Sequence, residues 1–190
     1  MKMLEEKILN DGLVLSGTVL KVDSFLNHQI DTKLICELAK EWKRLFDGEN
    51  ITKIVTIEAS GIGLACITAL EFGVPVVYAK KLKSVTIGDD LLSSKVVSYT
   101  HGNSYNVIAS RDYITKDDRV LIIDDFLANG SALRALIKIC EMGGATVVGA
   151  GIAIEKAYQK GGDSIREKGY RVESLAKISK MNSDGSIEFC

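Results

Sequence analysis

The chain has 190 residues, and its 24 Lys and Arg against 25 Asp and Glu give a formal net charge of −1 at pH 7. This length is typical of one domain with a sizeable buried core, and the balanced charge argues against a nucleic-acid coat or a basic membrane-surface protein. No apolar run approaches the roughly 18 residues of a membrane-spanning helix, and the single proline argues against a disordered Pro-rich linker. We therefore expect a single domain over residues 1–190, with no nucleic-acid and no membrane partner.

The cysteines and the N-terminus indicate the compartment. Cys36, Cys66 and Cys140 each fall inside an apolar helical pattern, and neither they nor Cys190 form a C-x-x-C pair. Buried free thiols are therefore expected, as in the reducing cytosol. Residues 1–10 are partly acidic and lack the long apolar run of a signal peptide. Together these features predict a cytoplasmic protein.

The spacing of apolar residues predicts an alternation of strands and helices along the chain. Helical spacing is found over residues 3–9, 31–46, 64–72 and 130–142, and extended runs over 13–22, 54–57, 74–78, 120–123 and 145–154. Asp31 is placed to cap the second helix, and Gly143-Gly144 to end the fourth. Strand, loop and helix in alternation indicate crossover units, and hence a parallel sheet covered by helices.

Residues 81–110 interrupt this alternation. Two extended runs, 96–100 and 105–108, flank His101-Gly102-Asn103-Ser104, which predicts a β-hairpin. Inserted before the most apolar strand of an α/β fold, the hairpin is either a mobile lid or a rigid excursion of the sheet. Both interpretations stay open from the sequence.

The most informative pattern follows the apolar run 120–123. Asp124 and Asp125 stand at its end, and a short loop of small residues then opens a helix. Ligands of open α/β sheets bind beyond the C-terminal ends of strands, and the free N–H groups of a helix N-terminus suit a phosphate. The two carboxylates would repel that phosphate and accept hydrogen bonds from sugar hydroxyls instead. The loop lacks the lysine of a Walker A motif and the G-x-G-x-x-G of a dinucleotide site; an ordinary strand–turn–helix is the alternative.

This pattern resembles the signature of the type I phosphoribosyltransferases: an apolar strand, two acids and a short loop ending near Thr-Gly. Asn129 stands where most members carry Thr, a departure that concerns the side-chain hydroxyl and not the backbone cradle. The resemblance implies an α/β fold with a twisted, mostly parallel sheet flanked by helices. It also implies a small N-terminal hood, from about residues 1–35 and the C-terminal part, and an inserted flexible hairpin. It assigns catalysis to Asp124 and Asp125, and it assigns binding of phosphoribosyl pyrophosphate to a loop comprising Ala128, Asn129, Gly130, Ser131 and Ala132.

A second loop corresponds to the pyrophosphate end of the substrate in that family. Glu58-Ala59-Ser60-Gly61-Ile62-Gly63 follows an earlier parallel strand, so it should lie on the same sheet edge as the acid pair. The resemblance implies that Ser60 and Gly61 bind pyrophosphate through backbone N–H groups. It also implies a basic residue after the next strand, for which Lys81 is preferred over Lys80. A solvated strand end is the alternative for either lysine.

The purine would be bound by the N-terminal segment and by one lysine. Residues 20–31 resemble the hood segment of the family members that use xanthine, which implies contacts from Leu20 and Asn27; a connection that merely caps a helix is the alternative. Lys156 follows the extended run 145–154 at the same sheet edge. A lysine is only a donor, so it suits the 6-oxo oxygen or N7 of a purine and not the 6-amino group of adenine. A lysine that snorkels near a loop is the alternative.

The resemblance covers nearly the whole chain and implies purine salvage. Xanthine and 5-phospho-α-D-ribose 1-diphosphate would give xanthosine 5′-monophosphate and pyrophosphate. Mg²⁺ would be bound through pyrophosphate and ribose oxygens, with no dedicated protein metal site, and a homodimer is expected. Two alternatives stay open: an adenine or other purine phosphoribosyltransferase, and a non-catalytic regulator that senses phosphoribosyl pyrophosphate. Such a regulator would carry an N-terminal DNA-binding module, and no pair of basic helices precedes the first core strand.

Overall fold

A computed structural model describes residues 1–82, 90–97 and 104–190. Within these ranges the α-helices are α1 (Lys2–Asp11), α2 (Thr32–Leu45), α3 (Gly61–Phe72), α4 (Ser131–Met142) and α5 (Gly161–Arg166). The strands are β1 (Leu13–Leu15), β2 (Val19–Lys21), β3 (Lys53–Ile57), β4 (Val76–Leu82), β5 (Leu91–Val97), β6 (Ser104–Ser110), β7 (Arg119–Leu127), β8 (Thr146–Lys156), β9 (Val172–Met181) and β10 (Ile187–Phe189). None of the described helices has both the length and the apolar composition that crossing a membrane requires.

The described strands form one large sheet and a small hairpin. The sheet has eight strands in the order β10-β9-β8-β7-β3-β4-β6-β5. Its five inner strands, from β9 to β4, run parallel, while β10, β6 and β5 pair antiparallel at the two edges. The mostly parallel sheet predicted from the alternation is therefore confirmed. The extended run predicted over 13–22 is instead the separate β1-β2 hairpin, because Ser16 and Gly17 reverse the chain with positive φ.

Helices cover both faces of the sheet. Trp42 of α2 lies fully buried on one face, and Leu136 of α4 lies fully buried on the other. Strand β7 contributes Leu121 to the first core and Ile122 to the second. A strand buried on both faces needs apolar residues at successive positions, which explains the continuous apolar run that marked it in the sequence.

The N-terminal segment packs onto the same core. Leu4 and Ile8 of α1 and Leu20 of β2 are buried in one cluster with Leu175 of β9. The N-terminal ammonium group donates a hydrogen bond to the carbonyl oxygen of Leu175. These contacts hold α1 and the β1-β2 hairpin over the part of the sheet that includes β9.

The four cysteines are free thiols. Cys140 is buried, and burial raises its pKa to about 12, so this thiol is unreactive. Cys36 is only half-buried, and Cys66 and Cys190 are exposed. The expectation of burial was therefore wrong for Cys66, which lies on the solvent side of α3.

The strands that carry the candidate residues are longer than their apolar runs. Strand β7 continues through the acid pair to Leu127, where the sequence had suggested a loop, because β8 pairs alongside it as far as Glu155. Strand β8 likewise runs to Lys156, and β4 runs to Leu82. Partner strands supply hydrogen bonds that keep polar residues extended, and a single-strand hydrophobic pattern does not contain this information.

The strands that interrupt the alternation before β7 form an antiparallel pair. Strands β5 and β6 align from Leu91 opposite Ser110 to Val97 opposite Ser104, which confirms an antiparallel pairing of the two predicted runs where they are described; residues 98–100 of the first run lie outside the described residues. The turn predicted at 101–104 lies outside the described residues except for Ser104, and so do residues 83–89. Movement of this hairpin as a lid stays a prediction.

A polar cluster ties the start of β7 to β3. Lys53 Nζ donates to Asp118 Oδ2 at 2.8 Å, and the Thr115 backbone N–H donates to the same oxygen at 2.7 Å. Burial acts to raise the pKa of Asp118, but the hydrogen bonds from Lys53 and Thr115 outweigh it and hold the pKa below its ordinary value. The cluster secures the register of β3 against β7, and this register sets the relative height of the strand ends that form the site.

Candidate active site

The C-terminal ends of β3, β7 and β8 meet at one edge of the sheet. Because these strands are parallel neighbours, the residues that follow them lie side by side. A Cβ atom added at Gly61, the first residue of α3, would overlap Thr56 Oγ1 and lie 3.1 Å from Asp124 Oδ1. The glycine loop after β3 therefore closes directly onto the acid pair of β7, as the sequence predicted, and only glycine permits this approach.

Asp124 and Asp125 are both buried at this edge, with 5% and 8% relative exposure. The backbone N–H of Asp125 donates to Asp124 Oδ1 at 3.0 Å. Burial and the adjacent charge of Asp125 raise the pKa of Asp124 well above its ordinary value, while the positive charge of Lys81 acts in the opposite direction. Two carboxylates at this depth need a partner for their charge, and a cationic or hydroxyl-rich ligand would supply it.

The loop after β7 is shaped for backbone donors. Gly130 has φ of 81°, a left-handed conformation that glycine adopts freely, and it directly precedes α4. Asn129 Oδ1 accepts a hydrogen bond from the Ser131 backbone N–H at 3.0 Å. The Asn129 side chain thus folds back onto its own loop. A Thr hydroxyl at this position would make a different contact. Ala128 and Ala132 are half-buried in the same turn.

The glycine loop after β3 is tied to β4 through a carboxylate. Glu58 Oε1 accepts a hydrogen bond from the Lys81 backbone N–H at 2.6 Å, and the Glu58–Ala59 peptide is cis. Ser60 directly precedes α3, and its side chain makes no capping hydrogen bond. The N-terminal N–H groups of α3 therefore face the same edge as the acid pair, together with Lys81.

Alternation along β4 separates the two candidate lysines. Successive strand residues point to opposite faces, and the charge of Lys81 acts on Asp124. Lys80 instead lines a separate pocket of about 560 Å³, together with Tyr78 and Tyr113. Lys81, and not Lys80, is therefore the lysine whose charge acts on the acid pair.

Lys156 lies between the sheet edge and the N-terminal hairpin. Its Nζ donates to the Thr18 carbonyl oxygen at 3.0 Å and lies 5.8 Å from the ring centroid of Phe126. Burial lowers the pKa of Lys156. This lysine thus connects the turn of the β1-β2 hairpin to the end of β8.

The other two purine candidates lie in the N-terminal segment. Leu20 is buried in the core cluster. Asn27 ends the π-helical turn Asp23–Asn27 and is half-buried. Among the described residues no side-chain hydrogen bond of Asn27 is present. The helix cap itself is Asp31, whose Oδ1 accepts from Leu34 N at 3.1 Å; Asn27 is therefore not needed as a cap.

Four features of the site were missed in the sequence. Phe126 presents a half-buried ring beside Lys156. Its position in the sequence, between the acid pair and the loop, could have marked it as a site residue. Tyr105 of β6 is close enough to Asp124 that burial and this charge raise the pKa of its phenol. Thr56 Oγ1 is buried under Gly61 and has no hydrogen-bond partner among the described residues. Arg134, one turn into α4, donates to the Asn129 carbonyl oxygen at 2.9 Å.

Comparisons with known proteins identify the family of the chain. Residues 21–182 match the family described as "Phosphoribosyl transferase domain". The chain is 55% identical over 190 residues to the xanthine phosphoribosyltransferase of Lachnoclostridium phytofermentans, covering 100% of this chain and 98% of that protein. It is 54% identical over 189 residues to the xanthine phosphoribosyltransferase of Bacillus cereus, covering 100% and 95%.

Solved structures of adenine phosphoribosyltransferases share the fold. The structure from Rhodothermus marinus has a TM-score of 0.73 at 22% identity, with 93% of this chain and 99% of that chain covered. The structure from Saccharomyces cerevisiae has a TM-score of 0.74 at 20% identity, covering 92% and 99%. At these identities the similarity concerns the fold alone. Because the family match extends over most of the sequence and relatives share more than half of their residues with it, the chain belongs to the phosphoribosyl transferase family.

Proposed function

We propose that this chain transfers the phosphoribosyl group of 5-phospho-α-D-ribose 1-diphosphate to N9 of xanthine, releasing pyrophosphate and forming xanthosine 5′-monophosphate. The observation that carries the choice of base is Lys156. Its ammonium group is held beside the Phe126 ring at the same sheet edge as the acid pair. A donor at this point favours a 6-oxopurine, whose O6 and N7 are acceptors, over adenine. The relatives named xanthine phosphoribosyltransferase support the same base.

Asp124 and Asp125 are proposed to act on the ribose. Their carboxylates accept hydrogen bonds from the ribose hydroxyls, which positions the anomeric carbon between the purine and the departing pyrophosphate. The ribose gains oxocarbenium character as pyrophosphate leaves, and negative charge fixed nearby opposes this developing positive charge. The buried position of both acids strengthens that interaction, because little water screens it.

The two ends of the activated sugar are proposed to lie at two helix N-termini. The 5-phosphate lies in the loop from Ala128 to Ala132 at the start of α4, where Gly130 lets backbone donors approach and Ser131 adds a hydroxyl. Pyrophosphate lies at Ser60 and Gly61 at the start of α3, opposite the Lys81 ammonium group. Helix N-termini suit phosphates because their free N–H groups and dipole favour negative charge.

The donor set fits a magnesium ion that arrives with the substrate. Among the residues that the structure describes, no cluster of three or more His, Cys, Asp or Glu lies together. Asp124 and Asp125 offer hard oxygen ligands next to the proposed ribose. Asp124 and Asp125 would hold the ion together with oxygens of the substrate, and it would supply positive charge that offsets the charge of the departing pyrophosphate. Because Mg²⁺ keeps several waters, few protein ligands would be required.

Three further expectations belong to this proposal. The β5-β6 hairpin would close over the site and exclude water, since hydrolysis of the activated sugar competes with transfer. The active species would be a homodimer, and the enzyme would work in the cytoplasm on small-molecule substrates.

The test is a turnover assay with four bases. Pyrophosphate release is measured for xanthine, guanine, hypoxanthine and adenine, each with 5-phospho-α-D-ribose 1-diphosphate and Mg²⁺. We expect the highest kcat/KM with xanthine. Preference for adenine would remove the role given to Lys156, and binding of the sugar without pyrophosphate release with any base would favour a non-catalytic regulator.

A further inference from the structure

Helix α5 lies between the proposed 5-phosphate loop and the lysine proposed to bind the purine. It begins with two glycines, of which the first packs against the phosphate loop and the second against Glu155, the residue before Lys156. A Cβ atom added at Gly161 would overlap the Ala128 carbonyl oxygen and lie 2.5 Å from the Gly130 backbone nitrogen. A Cβ atom added at Gly162 would overlap Glu155 Oε1, in the residue before Lys156. Consecutive residues of α5 thus contact the phosphate loop and the strand residue next to Lys156.

An arginine fastens α5 to the phosphate loop. Arg134 Nη2 donates to the Asn129 carbonyl oxygen at 2.9 Å, and Arg134 Nη1 donates to Ser164 Oγ at 3.2 Å. Ser164 Oγ in turn donates to the Gly161 carbonyl oxygen at 2.9 Å. That carbonyl oxygen lies 3.2 Å from the position of a Cβ atom on Gly130. The loop, α4 and the first turn of α5 are therefore joined by hydrogen bonds and by direct packing.

A buried ion pair fastens the other side of α5 to β8. Arg166 donates to both carboxylate oxygens of Glu155, at 2.9 and 2.7 Å, and also to the Val172 carbonyl oxygen. Ser174 Oγ donates to Glu155 as well, and Glu155 is only 1% exposed. Burial acts to raise the pKa of Glu155, but the hydrogen bonds from Arg166 and Ser174 outweigh it and keep the group ionised.

We propose that α5 is a positioning bridge, in which Arg134 and the Glu155–Arg166 pair hold the 5-phosphate loop at a fixed distance from Lys156. None of these three residues is given a contact with substrate in the proposed function. Their effect is to set where the sugar phosphate stands relative to the purine, and transfer depends on that alignment because the reacting atoms must be held close together. The inference rests on the proposed function for the identity of the two substrates.

If α5 is such a bridge, a substitution at the Glu155 end should change binding at the phosphate loop, and a substitution at the phosphate loop should change binding of the purine. The first variant is the double substitution Glu155→Gln with Arg166→Met, which removes both charges together and leaves no unpaired buried charge. It touches no residue of the phosphate loop. We expect the Kd of 5-phospho-α-D-ribose 1-diphosphate with Mg²⁺, measured by calorimetric titration, to rise about fivefold, within the usual range of coupling between distant sites.

The second variant is Arg134→Met, which touches the phosphate loop and not Lys156. We expect the KM of xanthine to rise about threefold, again through coupling between sites, in addition to weaker binding of the sugar. Arg134→Lys keeps a donor to the Asn129 carbonyl oxygen and should restore part of both losses. If Arg134 were needed only for folding, its loss would not change the constants of the two substrates in this pattern, and Arg134→Lys would not restore them.

The matched control is Glu49→Gln with Arg119→Met. This pair is also ionic and half-buried, with Arg119 Nη2 3.7 Å from Glu49 Oε2 and Arg119 Nε donating to the Glu49 carbonyl oxygen at 2.9 Å, but it lies at the start of β7 and makes no hydrogen bond to α5 among the described residues. It should lower the thermal midpoint and leave both substrate constants unchanged. The bridge is refuted if each damaged end alters only the substrate nearest to it, or if the control variant shifts the same constants. A wild-type chain that binds the sugar but makes no xanthosine monophosphate would overturn the substrate assignment, and the calorimetric comparison would still decide the bridge.

Discussion

Replacing Lys156 with Met tests the assignment of the purine site most directly. Methionine keeps most of the length of the side chain and its packing against Phe126, but it removes the ammonium group that donates hydrogen bonds. The ammonium group donates to the Thr18 carbonyl oxygen at 3.0 Å. Thr18 is exposed, so water can replace the lysine there. We therefore expect a loss of stability below about 1 kcal/mol.

The effect on catalysis should be much larger than the effect on stability. A hydrogen bond from a charged group to an acceptor contributes about 1.5–3 kcal/mol net. At about 1.4 kcal/mol per factor of ten, its loss lowers kcat/KM for xanthine by about 10-fold to 150-fold. Hypoxanthine and guanine carry the same O6 and N7 acceptors, so their kcat/KM values should fall by similar factors. The ratio of kcat/KM for xanthine to kcat/KM for adenine should therefore fall.

The assay is steady-state pyrophosphate release with each base, together with thermal unfolding of the same preparations. Lys138→Met, at an exposed position of α4, is the control for loss of a lysine charge. The reasoning is refuted if Lys156→Met keeps wild-type kcat/KM with xanthine. A large loss that is equal for adenine and for the 6-oxopurines would also refute it, because the donor would then have no part in the choice of base.

Three further predictions concern other parts of the molecule. Asp125→Asn should leave the circular dichroism spectrum unchanged and lower kcat about 100-fold to 1,000-fold, as removal of a group that stabilises transition-state charge does; unchanged turnover would show that the ribose lies elsewhere. Gly61→Ala should destabilise the protein by about 1–3 kcal/mol in urea unfolding, because its methyl group overlaps Thr56 Oγ1, and adding Thr56→Ala should recover part of that loss. Asp118 has a folded-state pKa below its unfolded value, so its stabilising effect is present above about pH 4 and disappears as the pH falls through the lower pKa. In acid titrations followed by circular dichroism, the stability of the Asp118→Asn variant should therefore depend less on pH than that of wild type. An equal dependence of stability on pH in the two proteins would contradict the inferred pKa shift.

Much of the sheet edge could be predicted because its signals are local. The apolar run before Asp124, the small residues around Gly130 and the glycine loop at Gly61 are each readable within a dozen residues. Parallel strands then bring their C-terminal ends together without further information. The pairing that extends β7 past the acids could not be read, since its hydrogen bonds come from β8.

The purine end was less predictable from residue pattern alone. Asn27 carries no distinctive spacing, and it was the resemblance to a family that singled it out. Lys156 could be noted from its place after an apolar strand, but a snorkelling lysine was an equal alternative. Phe126 was overlooked because a lone aromatic residue is ordinary in a strand. Lys81 could be preferred over Lys80 only by analogy, and the alternation of side chains along β4 supplied the physical reason.

By itself, the sequence determined the alternating α/β architecture and the two acids and glycine loops at strand ends, because hydrophobic period and turn chemistry act over short stretches of chain. Only the tertiary structure decided how these parts are held relative to one another. The hydrogen bond from Lys156 to Thr18 spans 138 positions, and α5 packs one glycine against the phosphate loop and the next against Glu155. Such contacts depend on the packing of complete elements, and no local pattern of residues encodes the distance between them.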